Sequence, residues 1–234
     1  MERETQHQDT PRRLVWDLPV RAFHWALVAL AATAWASAEA GWIRVHFYVG
    51  YAIAALLLFR VAWGLVGPRY ARFSNFVTGP RAVYDYLRGW LDGSAREPAG
   101  HTPAGGWMIL ALLGLLALQV ASGMLNSHDG LDTGPWYWAA SEGLRELAEE
   151  THETVFDILL VAAAAHIVAV LLYLVRPGVN LVAAMFSGRK ATREPAIPGS
   201  RLPLALILLA AAAAAVWILV SAAPGPSLSD LGLY

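Results

Sequence analysis

The 234-residue chain contains no cysteine. Disulfides, iron–sulfur clusters, thiolate-ligated haem and covalently attached c-type haem are therefore excluded on this polypeptide. Charge is scarce as well. Only 15% of residues are Asp, Glu, Lys or Arg, against about 25% in soluble domains. The formal net charge is −1, so nothing argues for nucleic-acid binding. No internal repeat is visible, and the only low-complexity stretch is alanine-rich and lies near the C-terminal end. What is abundant is apolar sequence, with 57% of residues hydrophobic. Several runs reach the roughly 20 residues that a hydrocarbon core requires. The composition is that of an all-α integral membrane protein in contact with lipid.

Five spans are expected, at roughly 20–38, 43–65, 106–125, 152–175 and 202–222. The first follows TPRRLVWDLPVR without a small-residue cleavage site, and is expected to be retained. Basic residues set the orientation. Arg3, Arg12, Arg13 and Arg21 precede the first span, and Arg69, Arg72, Arg81, Arg88 and Arg96 lie between spans two and three. Arg176, Arg189, Lys190, Arg193 and Arg201 lie between spans four and five. All fall on one side, expected to be cytoplasmic. The opposite side carries Arg44, Arg145 and the acids Asp129, Asp132, Glu142, Glu146, Glu149 and Glu150. A bacterial inner-membrane protein results, with its N-terminus inside and its C-terminus in the periplasm. PRAVYDYLRGWLDG (80–93) is expected to lie along the interface. GPWYWAASEGLRELAEE (134–150) is expected to form a short helix over the outer face, packing directly before His152.

Four of the seven histidines fall in or at the edges of spans: His24, His46, His152 and His166. His152 and His166 are fourteen residues apart. At about 100° per residue they come within roughly 40° of one helix face, separated by about 21 Å along the axis. One lies near each membrane surface. His46 matches His152 in depth, and His24 matches His166. Two pairs of opposed imidazoles would ligate two b-type haems. Gly50 and the alanines Ala162 and Ala163 share the ligand faces and would let a porphyrin lie flat. Arg60 could pair with a propionate. The competing readings are hydrogen bonds between helices and a proton path. A single Zn or Cu cluster is excluded by the separation of about 21 Å.

The stretches VWDLPVRAFHW, HFYVGYAIAALLLFRVAWGLVGPRYARF, GHTPAGGWM and HETVFDILLVAAAAHIVAVLLY, ending near NLVAAMFSGRK, carry a resemblance. Over roughly residues 14–190 the chain resembles the bacterial cytochrome b561 family and the related b-type subunits of nickel–iron hydrogenases and formate dehydrogenases. The resemblance implies a four-helix membrane bundle with two haems b. It implies His24 with His166 for the inner haem and His46 with His152 for the outer one. It also implies quinone as substrate and a periplasmic redox partner: a c-type cytochrome, a hydrogenase or a dehydrogenase. A variant in the family passes electrons from superoxide to quinone. Domain limits are expected at 1–190 for the di-haem unit, and at 191–234 for a linker (EPAIPGSR), a fifth helix without histidine and a short tail. A homodimer is left open. The rival functions are a haem-free anchor for a soluble enzyme and a small transporter with a histidine relay, the latter disfavoured by the lack of repeat symmetry.

Further residues carry two readings each. His101, in GHTPAGGWM, either shapes the turn into span three or contacts quinone. Asp157 stands nine residues before His166, about 180° around the helix. It serves proton delivery, a subunit contact or a hydrogen bond to a neighbouring helix. Trp25, Trp63 and Trp107 lie at span ends as interfacial anchors, and Trp25 and Trp63 could also line the inner haem pocket. His128 is expected in an exposed loop and His7 in a polar tail.

Overall fold

The structure is a computed structural model that describes residues 10–95, 97–128, 132–175 and 180–226. His7, Arg3, Arg96, Asp129 and Arg176 lie outside the described residues. The protein is an all-α membrane protein. Among the described residues, five helices are long and apolar enough to cross a bilayer. They are α1 (Leu18–Glu39), α2 (Ile43–Val66), α5 (Pro103–Gly123), α6 (Glu142–Leu174) and α8 (Leu202–Ser221). Shorter helices are α3 (Phe73–Phe76), α4 (Pro80–Asp92) and α7 (Leu181–Ser187). Two small antiparallel pairs complete the elements: β1 (Arg12–Leu14) with β4 (Arg189–Ala191), and β2 (Ser127–His128) with β3 (Asp132–Thr133).

One expectation is corrected. The segment 134–150 does not form a separate helix; from Glu142 onward it belongs to α6, a 33-residue helix that runs through both His152 and His166. The physical reason is local. No proline occurs between Pro135 and Pro177, and LRELAEE is made of strong helix formers. Nothing there stops a helix, so the apolar span simply extends into an acidic overhang. Only the aromatics before it differ: Tyr137–Ala139 form one 3-10 turn.

The chain divides into two compact units. The first comprises residues 1–24, 60–111 and 162–205. Its core outside the spans is Val15, Trp16, Tyr70, Ala99, Ala184 and Ile197. These six come from segments far apart in sequence. Backbone bonds join them: Val15 and Trp16 N–H both donate to Gly188 O, at 2.9 and 3.0 Å, and Ile197 N–H donates to Leu14 O at 3.0 Å. Tyr70 Oη donates to Pro195 O at 2.8 Å. The segment expected as a linker is thus packed into this unit. Gly188 ends α7 with φ 75°, and a Cβ there would lie 2.6 Å from Trp16 O. Gly188→Ala is expected to cost about 1–3 kcal/mol of stability, seen as a lowered thermal midpoint in detergent; an unchanged midpoint would refute the close packing.

The second unit comprises residues 25–59, 112–161 and 206–234. Residues 40–42 turn α1 into α2, closed by Trp42 N–H to Ser37 O at 2.8 Å. The β2–β3 hairpin leaves His128 exposed. The Arg145 guanidinium stacks over Tyr137 at 4.3 Å, and its Nε donates to Tyr137 O at 2.9 Å. Trp136 Nε1 donates to Leu219 O of α8 at 3.2 Å. In this unit α8 buries Ala212 and Val216, spaced four apart as one helix face requires.

Candidate haem site

His46 and His152 meet within the second unit. Their ring centroids are 6.2 Å apart and the planes are inclined by 75°. Two metal–nitrogen bonds of about 2 Å, plus the two ring radii, come to about 6 Å. The separation therefore leaves room for one iron that His46 and His152 could both ligate. Their second nitrogens fix the orientation. His46 Nδ1 lies 2.8 Å from Ala34 O, and His152 Nδ1 lies 3.0 Å from Gln119 O. A backbone carbonyl only accepts, so both rings carry the proton on Nδ1 and keep the Nε2 lone pair for a metal. Ser122 Oγ is also 3.1 Å from His152 Nδ1. These residues fit a bis-histidine haem.

Gln119, Ser122 and Gly123 escaped the sequence reading. Their signal is present, since three small or polar residues recur at i, i+3 and i+4 in the apolar helix α5. Gly123 is needed for close approach: a Cβ there would sit 2.9 Å from His152 Cε1. At Gly50, by contrast, a Cβ would meet no atom within 4 Å. Trp35 and Phe156 pack at 6.1 Å in the same unit. Asp157 is exposed.

His24 and His166 both belong to the first unit, where each is half-buried. The same unit contains a buried polar layer. Asp17 caps α1 by accepting from Val20 N–H, three positions into the helix as an N-cap does. Its Oδ2 also accepts from Trp63 Nε1 at 2.7 Å. Trp63 is wholly buried, so its partner is Asp17 and not the membrane interface. Arg60, 3% exposed, donates from Nη1 to Ala71 O at 3.2 Å and lies 4.9 Å over the Phe73 ring. Its charge reaches Asp17, whose carboxyl is nonetheless raised above 3.8, chiefly by burial. Trp25 is half-buried. Trp107 Nε1 donates to Thr78 O at 2.9 Å.

His101 stands in the turn before α5, its ring held between Trp16 at 4.3 Å and Phe76 at 4.4 Å, tilted against both. Burial, together with the Arg60 and Lys190 charges, pushes it down to about 3. The folded protein therefore binds fewer protons here than the unfolded chain between about pH 3 and 6.5. Stability from this group is full above 6.5 and is lost as pH falls, by at most about 1.4 kcal/mol per unit. Thermal midpoints measured from pH 7 to 4 should fall, and His101→Phe, which keeps the aromatic contacts, should flatten the decline. Equal slopes would count against the assignment.

A sequence model of prokaryotic cytochrome b561 matches residues 15–188. A probable Ni/Fe-hydrogenase B-type cytochrome subunit from Rhizobium leguminosarum bv. viciae is 25% identical over 218 positions, covering 77% of this chain and 89% of the relative. No solved structure matches. With a family match across most of its length, the chain belongs to the prokaryotic cytochrome b561 family: a multi-pass membrane b-type cytochrome that binds haem b and serves electron transport.

Proposed function

We propose that the protein holds two haems b, one between His46 and His152 and one between His24 and His166, and carries electrons across the bilayer between the quinone pool and a periplasmic redox protein. The observation that carries this reading is the His46–His152 pair, 6.2 Å apart with both Nδ1 atoms turned to backbone carbonyls. When bound, each haem supplies a one-electron iron couple. The polypeptide supplies the rest. The carbonyls of Ala34 and Gln119 hold the rings, and Ser122 adds a polar contact that raises ligand basicity. His166 of the second pair stands on the same helix α6 as His152, fourteen residues on, or about 21 Å along it, and His24 is supplied by α1. That spacing leaves one site toward each bilayer surface.

The arginine-rich loops favour the His24–His166 end as cytoplasmic. The relative is named for a hydrogenase, so a hydrogenase-type enzyme is one class of partner. The acidic overhang of α6 would speed encounter with a basic one. Quinone is assigned to the His24–His166 end, with His101 in the same unit as a contact. Exposed Asp157 is assigned to a contact with another subunit.

The test is a reduced-minus-oxidised spectrum with haem quantitation, followed by addition of quinol. Two haems b per chain that quinol reduces are expected. A colourless protein would overturn the reading in favour of a haem-free anchor.

A further inference from the structure

The first unit contains a second polar chain. Tyr173, on α6, hydrogen-bonds through its hydroxyl to that of Tyr86 on α4. Tyr86 Oη in turn donates to Glu97 Oε1, in the loop before α5, at 3.0 Å. Glu97 Oε2 is buried and has no hydrogen-bond partner among the described residues. Lys190 feels the Glu97 charge, while its Nζ donates to Pro98 O at 2.6 Å. Tyr173 lies seven residues beyond His166. Seven residues are two turns, so it falls within roughly 20° of the histidine's face, about 10 Å further along the helix.

We infer that Glu97, Tyr86 and Tyr173 form a proton relay from the loop before α5 toward a quinone at the His24–His166 end. The inference rests on the quinone reading above. Reducing a quinone takes two electrons, which the electron-transfer activity delivers, and two protons, one for each carbonyl oxygen. The relay supplies the protons in turn. The Tyr173 O–H breaks as the quinone O–H forms. The Tyr86 O–H breaks as that of Tyr173 re-forms, and the Glu97 carboxyl group hands Tyr86 the replacement proton, which it takes from water. A tyrosine hydroxyl both donates and accepts, so each can pass a proton by rotating. Burial, then the bond with Tyr173, raises Tyr86 well above the ordinary phenol value, so it conducts as a neutral hydroxyl and not as a phenolate.

A mere clamp between α4 and α6 is the competing account. Packing there does not need the hydroxyls: the Trp90 ring, one turn along α4, lies 6.4 Å from the Tyr173 ring. Tyr86→Phe and Tyr173→Phe therefore separate the two. In the reduced holoprotein, oxidation by a water-soluble quinone is compared with oxidation by ferricyanide, which takes no proton. Both variants and Glu97→Gln should slow quinone reduction on the order of tenfold or more, lose the solvent deuterium isotope effect and leave ferricyanide rates unchanged. The redox-difference infrared spectrum should contain a carboxyl band that Glu97→Gln abolishes. Wild-type quinone rates in all variants, or equal slowing with both acceptors, would overturn the relay alone. A wild type that reduces ferricyanide but no quinone would overturn the quinone reading and the relay with it.

Discussion

Replacing His152 with alanine is expected to halve the haem content, from two haems b per chain to one. His46→Ala should remove the same haem, because the two ring centroids lie only 6.2 Å apart. His24→Ala and His166→Ala should remove the other. The informative comparison is between pairs. Each double variant within a pair should have the spectrum of its single variants, whereas His24→Ala with His46→Ala should be colourless. Ser122→Ala should keep both haems, since His152 Nδ1 retains the Gln119 carbonyl at 3.0 Å. Its effect should be a shifted midpoint potential for one haem. Pyridine-haemochrome quantitation checks the counts, and potentiometry checks Ser122. A His152→Ala protein with two haems would sink the ligand assignment.

The largest stability effect is expected at Asp17. Asp17→Ala removes the N-cap of α1, strands the buried Trp63 Nε1–H and takes a counter-charge from buried Arg60. Together these should cost about 3–5 kcal/mol. Asp17→Asn keeps the shape, the cap and the acceptor for Trp63. It also removes a carboxylate whose burial outweighs its attraction to Arg60. It should therefore cost far less than alanine. Thermal unfolding in detergent, followed by tryptophan fluorescence, gives the ranking. Equal losses for Asn and Ala would mean that the charge, and not the hydrogen bonds, is what matters.

The difference between these two sites explains what sequence reading reached. The juxtaposition of His46 with His152 was legible because helix rise and period are set by the backbone. Depth along a span then follows from counting residues. The five spans were legible for the same reason, to within a few residues at most ends. The start of α6 was not, because an acidic segment after aromatics reads as a loop unless its lack of breakers is given weight. The Asp17–Trp63 bond joins residues 46 apart, and β1–β4 joins Leu14 to Arg189. Such contacts depend on how several segments pack, and no local period announces them. The Tyr86–Tyr173 bond, 87 residues long in sequence, is of the same kind.

The orientation of His46 and His152 rests on carbonyl oxygens of Ala34 and Gln119. Main-chain acceptors carry no side-chain identity. Any helix-forming residue at 34 or 119 would present the same oxygen, provided that the helix keeps its path. The imidazole tautomer is thus protected from drift at the positions that enforce it. A lineage could replace most of its apolar residues and still hand down the same ring geometry, with only the histidines and one close-packed glycine left as witnesses.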